Sequence, residues 1–217
     1  MDFKAAIFDL DGTVLNSMDV WEKIDIDFLA KRNLNVPDGY INEICSRSFL
    51  EAANYTINLF NLNEKADDII NEWNDMAIHE YSNNVKLKPY AKEYIIYLKE
   101  IGIKLSVATG LPTALFEPAL KNNGIYDLFD AICSTDEVER GKEYPDIFLL
   151  CAKRMKVNPR DCIVFEDVLP AIISSKRAGM KVFGVHDKYS EMYKIDIKKI
   201  ANGYLYNFKN APHPKNK

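Results

Sequence analysis

The sequence predicts an α/β protein: a doubly wound parallel sheet interrupted early by an all-helical insert. Three observations carry this. Short runs that are apolar at nearly every position recur through the second part of the chain. Amphipathic segments separate them, and a long stretch near the start shows helical periodicity without any such run. Strand alternating with helix at this spacing implies crossover units and parallel pairing.

Taken in order, 4-KAAIFD-9 opens the chain as a strand covered on both faces. From Trp21, the residues Ile24, Phe28 and Leu29 recur at helical spacing, and Trp73, Ala77 and Tyr81 do so later. The expected division is therefore an α/β core over residues 1–16 and 87–217, with a helical domain over 17–86. After Leu87, strands are expected at 104-KLSVAT-109, 131-AICS-134, 162-CIVFE-166 and 181-KVFGV-185. Helices are expected at 89–102, 113–124, 145–156 and 170–179. Pro89, Pro145 and Pro170 stand near helix starts, and Gly102, Gly124 and Gly179 fall just past helix ends. The tail 208-FKNAPHPKNK-217 reads as a frayed end.

Of the 217 residues, 47% are hydrophobic and 28% charged, which places the chain among globular proteins. Lys and Arg total 28 against 32 Asp and Glu, a net charge of −4. A negative field disfavours phosphate-backbone binding, so nucleic acid is not the expected partner. No apolar stretch approaches the roughly 20 residues a bilayer requires, and the N-terminus turns acidic too early for a signal peptide. Cys45, Cys133, Cys151 and Cys162 are far apart, without metal or disulfide spacing. The expectation is a cytoplasmic protein, monomeric or weakly dimeric, with no membrane partner.

The segment 7-IFDLDGTVL-15 carries most of the chemistry. In a strand, residues two apart point the same way, so Asp9 and Asp11 can converge where the strand ends, and Gly12 lets the chain turn there. Open parallel sheets bind ligands at the carboxyl ends of their strands. Two close carboxylates call for a compensating cation, and a hard oxygen-liganded ion such as Mg2+ fits.

Four segments together resemble the haloacid dehalogenase superfamily, in its phosphatase and β-phosphoglucomutase-like members with a small helical cap. They are 9-DLDGT-13, 105-LSVATG-110, 142-KEYPDIF-148 and 163-IVFED-167, in the family's order over nearly the whole chain. The resemblance implies a Rossmann-like core and Mg2+-dependent hydrolysis of a small phosphorylated metabolite. It makes Asp9 the nucleophile that becomes an aspartyl phosphate, and Asp11 the acid and base whose carbonyl also ligates the metal. It assigns Thr109 and Gly110 to phosphate binding, and Lys142 to neutralising phosphoryl charge. Asp167 would ligate the metal, and Glu166 would ligate it or support its surroundings. Because neighbouring side chains of a strand point oppositely, both acids can aim at one ion only if the strand has ended.

The chain departs from the family pattern at Val168 and Ala171, at Glu143 after the lysine, and at Asn16-Ser17 after the first motif. In the cap, Ser46-Arg47-Ser48-Phe49 is similar to a sugar-phosphate contact of the mutases, which would let Arg47 grip a distal phosphate. Those mutases carry a cap histidine twelve positions after the nucleophile, where this chain has Trp21, a substitution that favours hydrolysis. The expected function is thus a phosphatase of a small phosphomonoester, a sugar phosphate among the candidates. The alternatives are a β-phosphoglucomutase-like mutase and a non-catalytic phospho-ligand binder. A 2-haloacid dehalogenase has no need of Asp11.

Overall fold

The computed structural model describes residues 2–45 and 47–214, with the backbone alone at Asn42 and Cys45. Ser46, the Cys45 side chain and the last three residues of the tail therefore lie outside the described residues. The chain divides into two compact units, residues 1–18 with 85–217, and residues 19–84. These borders fall two residues from those expected on sequence.

The first unit is built on a six-stranded sheet: β1 (Ala5–Phe8), β4 (Lys104–Thr109), β5 (Ala131–Ser134), β6 (Cys162–Glu166), β7 (Lys181–Val185) and β8 (Gly203–Leu205). Their spatial order is β5-β4-β1-β6-β7-β8, and every pairing is parallel. Helices α5 (Ala91–Glu100), α6 (Thr113–Asn122), α7 (Asp146–Met155), α8 (Leu169–Arg177) and α9 (Lys194–Ile200) connect them. The Rossmann-like α/β core is as the sequence predicts. Strand β8 and helix α9 are additions: three and seven residues are too short to announce themselves by periodicity.

The central strand is buried along its length, and its alternating side chains feed two cores. Ile7 joins Ala108, Ile147, Phe148 and Val164 in one hydrophobic cluster. Phe8 stacks on Phe165 at 4.9 Å between ring centroids and meets Tyr94 and Phe129 edge-on. Burying rings of this size contributes about 2–3 kcal/mol each, which fixes β1 between β4 and β6. That placement brings three strand ends together.

The tail corrects an expectation. Phe208 is buried against Tyr94, the Tyr94 hydroxyl donates to the Pro212 carbonyl at 2.6 Å, and His213 packs on Tyr97. Through residue 214 the segment is docked on α5, because Phe208 and Ala211 supply apolar anchors that its lysines obscure in the sequence.

Two short strands, β2 (Leu15–Asn16) and β3 (Lys86–Leu87), pair antiparallel where the chain leaves and re-enters this unit. Lys88 pins the second crossing: its N–H donates to Val14, and its buried ammonium pairs with Asp187 at 2.8 Å.

The second unit holds α1 (Val20–Ala30), α2 (Tyr40–Cys45), α3 (Phe49–Phe60) and α4 (Ala66–Asn83). Ser48 opens α3 with a capping box to Glu51. Ile24, Phe28, Leu29, Ile69, Trp73 and Tyr81 form its core. Trp21 is partly buried and packs edge-on against Phe49 at 5.5 Å.

Candidate active site

Asp9 follows the last residue of β1, and its N–H still donates to Phe165 of β6 at 3.0 Å. The chain then turns back on itself, with Thr13, Val14 and Leu15 all donating to the Leu10 carbonyl. Gly12 has φ +75°, and a Cβ there would stand 2.6 Å from Asp167 Oδ2. The turn needs glycine twice, for its left-handed backbone and for the carboxylate beside it.

Strand β6 ends at Glu166, so Asp167 is free of the strand's alternation. Oxygens of Asp9, Glu166 and Asp167 all lie within 4.8 Å of one another, and all three residues are buried. The condition under which both acids can face one point is met. The two are nonetheless held differently. Glu166 Oε1 accepts from the N–H groups of Asp167 and Val168 at 3.0 and 3.1 Å. Its Oε2 lies 2.5 Å from Lys142 Nζ as an ion pair, although the angle leaves it without a well-formed hydrogen bond. Asp167 Oδ1 accepts from the Thr13 hydroxyl at 3.1 Å.

Lys142 reaches both strands. Its Nζ donates to Asp9 Oδ1 at 2.6 Å while pairing with Glu166. Burial opposes its charge, yet Asp9 and Glu166 together hold its proton more firmly than an ordinary lysine's. One lysine does not balance three acids. Burial, then Glu166, raises the Asp9 carboxyl to about 6 against the pull of Lys142. Burial, Glu166 and Asp9 push Asp167 well above the usual carboxylate range.

Thr109 closes β4, buried at 1% exposure, and its hydroxyl oxygen accepts the Leu111 N–H at 3.0 Å. The space beside Gly110 is open and nothing around it demands a glycine. Asp11 lies outside the trio of side chains: its Oδ1 accepts from the Ser17 hydroxyl. Sequence reasoning noted Ser17 only as a departure from a pattern, and it missed Thr13 and Ser174. Ser174 donates from α8 to the Lys142 carbonyl and so fixes the lysine's loop.

Arg47 is engaged within its own unit. It pairs with Glu43 at 2.8 Å, and its guanidinium lies 4.5 Å from the centre of the Tyr55 ring. A groove of about 680 Å³ between α1 and α4 offers no alternative anion site, since its lysines are committed: Lys23 to Asp27 and Glu80, Lys31 to Glu72. Cys133, Cys151 and Cys162 are buried free thiols.

A parallel sheet with buried acids at the ends of two neighbouring strands, a loop lysine between them and a threonine ending a third strand has the architecture of a Rossmann-like enzyme. The family model of the haloacid dehalogenase-like hydrolases matches residues 6–185, and the chain belongs to that family. Its relatives include the bifunctional riboflavin kinase/FMN phosphatase of Arabidopsis thaliana, 32% identical over 82% of this chain but only 47% of that protein. Hexitol phosphatase B of Escherichia coli is 27% identical over 82% of this chain and 81% of its own. A putative β-phosphoglucomutase from Thermotoga maritima shares the fold, with TM-score 0.81 at 21% identity over 93% of both chains.

Proposed function

We propose that the chain is a Mg2+-dependent phosphatase releasing phosphate from a small phosphomonoester, a sugar or polyol phosphate, through phosphorylated Asp9. The observation that carries the reading is Lys142 bridging Asp9 and Glu166 in a buried, acid-rich cluster at the end of β1. The curated relatives support the class: hexitol phosphatase B, validoxylamine A 7'-phosphate phosphatase and fructose-1-phosphate phosphatase are phosphatases of small metabolites by name.

The residues present suit a divalent cation. Three buried carboxylates share one lysine, and two of them hold protons unusually well, so the pocket is short of positive charge and rich in oxygen donors. Asp9 and Asp167 would hold the ion, with the Asp11 carbonyl and Glu166 in support. When bound, it supplies charge to the phosphoryl oxygens.

Asp9 attacks phosphorus, forming an acyl-phosphate bond as the ester P–O bond breaks. Asp11, oriented by Ser17, gives the leaving oxygen its proton and later takes one from the water that attacks phosphorus and frees Asp9. Lys142 offsets the negative charge gathered on Asp9 and the phosphoryl group. The Thr109 hydroxyl, whose oxygen already accepts the Leu111 N–H, keeps its proton to donate to phosphate. Arg47 would reach a distal phosphate only if its pair with Glu43 opened.

We place the protein in the cytoplasm as a monomer or weak dimer. Its free buried thiols suit a reducing compartment, and among the described residues no helix is long and apolar enough to cross a membrane.

The test is phosphate release from a panel of sugar and polyol phosphates, with Mg2+ and with EDTA. Mg2+-dependent turnover of any member supports the reading. Conversion of β-glucose 1-phosphate to glucose 6-phosphate without phosphate release would make the chain a mutase. Failure to turn over even an aryl phosphate would leave it a binder.

A further inference from the structure

Strand β5 and helix α7 bring together two cysteines that the sequence keeps apart. Cys133 lies in β5, an edge strand of the sheet, and Cys151 meets it from α7. Their thiols are hydrogen-bond partners, and both belong to one buried cluster. Cys151 Sγ also lies 3.3 Å from the Val107 carbonyl of β4, so its S–H has two acceptors within reach. The proposed phosphatase chemistry uses neither sulfur.

A cation makes the two sulfurs unequal. Arg154 of α7 sets Nη1 3.4 Å from Cys133 Sγ. The hydrogen bond from Cys151, then the Arg154 charge, hold the Cys133 thiol below its ordinary value despite burial, whereas burial pushes the Cys151 thiol well above it. Cys133 is therefore the readier thiolate, and Cys151 keeps its proton. Cys133 has no exposure of its own, but its cover is thin. The Arg154 side chain that touches its sulfur is 38% exposed, and it is held there by a two-pronged pair with Glu137, also 38% exposed. Surface ion pairs of this kind open readily, so a single side chain separates the sulfur from solvent on that side. Cys162 provides the contrast. It is buried too, burial and then Asp161 push its thiol up to about 12, and among the described residues no cation or second thiol acts on it.

We infer that Cys133 and Cys151 are an oxidisable dithiol that a hydroperoxide converts to a disulfide, with Cys133 the attacking sulfur and Cys151 the resolving one. The Cys133 thiolate attacks one peroxide oxygen, the O–O bond breaks, and a sulfenic acid forms as hydroxide leaves. The Cys151 sulfur then attacks the Cys133 sulfur, the S–O bond breaks, and the sulfenic oxygen departs as water with the Cys151 proton. Hydroxide takes up the proton that Cys133 gave up. Two thiols thus lose two electrons in all, one hydrogen peroxide gains them, and two waters are released. The product ties the edge strand β5 to α7.

Peptide mapping of the full chain reads each sulfur separately, whether or not the protein releases phosphate. The reduced protein is exposed to excess hydrogen peroxide for increasing times, denatured in N-ethylmaleimide and digested without reductant. The expected product is a peptide pair joined through Cys133 and Cys151, two hydrogens lighter than its parts and separated again by dithiothreitol. Cys162 should lose its maleimide labelling at least tenfold more slowly than Cys133, since both are buried and only Cys133 has a cation and a resolving thiol. In Cys151→Ala, dimedone added with the peroxide should label Cys133, whose sulfenic acid then has no thiol to resolve it. If that variant fails to fold by circular dichroism, the linked peptide from wild type decides alone. Loss of Cys162 as fast as Cys133 would overturn the site. So would a Cys133 that stays reduced, goes on unlinked to the sulfinic acid, or joins Cys45 instead.

Discussion

The carboxylate of Asp167 occupies the space where Gly12 would carry a side chain: a Cβ on Gly12 would stand 2.6 Å from Asp167 Oδ2. The first acidic turn and the last acidic strand end are thus fitted to each other across the sheet. Gly12→Ala is expected to fold with about 1–3 kcal/mol less stability, from a left-handed backbone and a displaced carboxylate. It should also lose most of its affinity for Mg2+. Thermal melts with and without Mg2+ check this, and an unchanged Mg2+-induced shift would contradict it.

Lys142 acts through two contacts, and its loop hangs on a third. Lys142→Met should cut turnover at least a thousandfold, because the negative charge gathered at Asp9 loses its fixed counter-charge. Ser174→Ala leaves the ammonium in place but releases the loop carbonyl. It should lower kcat about three- to tenfold and leave the circular dichroism spectrum as it was. Activity retained in Lys142→Met would remove the lysine from the mechanism.

The two acids after β6 should separate on metal titration. Asp167 is held by one hydroxyl, whereas Glu166 spends one oxygen on two backbone N–H groups and aims the other at Lys142. Asp167→Ala is expected to raise the Mg2+ concentration for half-maximal activity at least thirtyfold. Glu166→Gln keeps an acceptor for both N–H groups and should raise it less than tenfold, with a larger loss in kcat. Equal shifts would show that Glu166 ligates as directly as Asp167.

Asp25 makes the stability depend on pH. Burial, then Glu22, raises its carboxyl from the ordinary 3.8 to about 7. Below about pH 4 folded and unfolded chains both hold the proton. As pH rises from there through about 7, the folded chain gives up a proton it holds more tightly, so this contribution to stability is lost. Asp25→Asn should therefore be about 1–2 kcal/mol more stable than wild type at pH 8, allowing for the group's partial exposure, and no more stable at pH 4. Urea unfolding at both pH values measures this. An equal gain at both would assign the effect to packing.

The sheet was legible because β1, β4 and β6 are buried on both faces and read as unbroken apolar runs. Asp9, Asp11, Glu166 and Asp167 were legible because carboxylates ending such runs have no place in packing. The contacts that organise them were not. Thr13 meets Asp167 across 154 residues and Ser174 meets the Lys142 carbonyl across 32, and a hydroxyl's partner at that range follows from the sheet order alone. Asp25 escaped for a different reason: one acid within a helical stripe reads as a surface residue until the packing that buries it is known.

The claim on which the account turns is that Asp9 itself carries the phosphoryl group. Acid quench of the enzyme during turnover of a substrate found in the metabolite panel, followed by peptide mass spectrometry, tests it most directly. The account predicts a transient phosphoryl adduct on Asp9 that decays as phosphate appears. It predicts no adduct and no detectable turnover in Asp9→Asn, with the fold intact by circular dichroism. Turnover by Asp9→Asn within about tenfold of wild type, or an adduct on another residue, would contradict it.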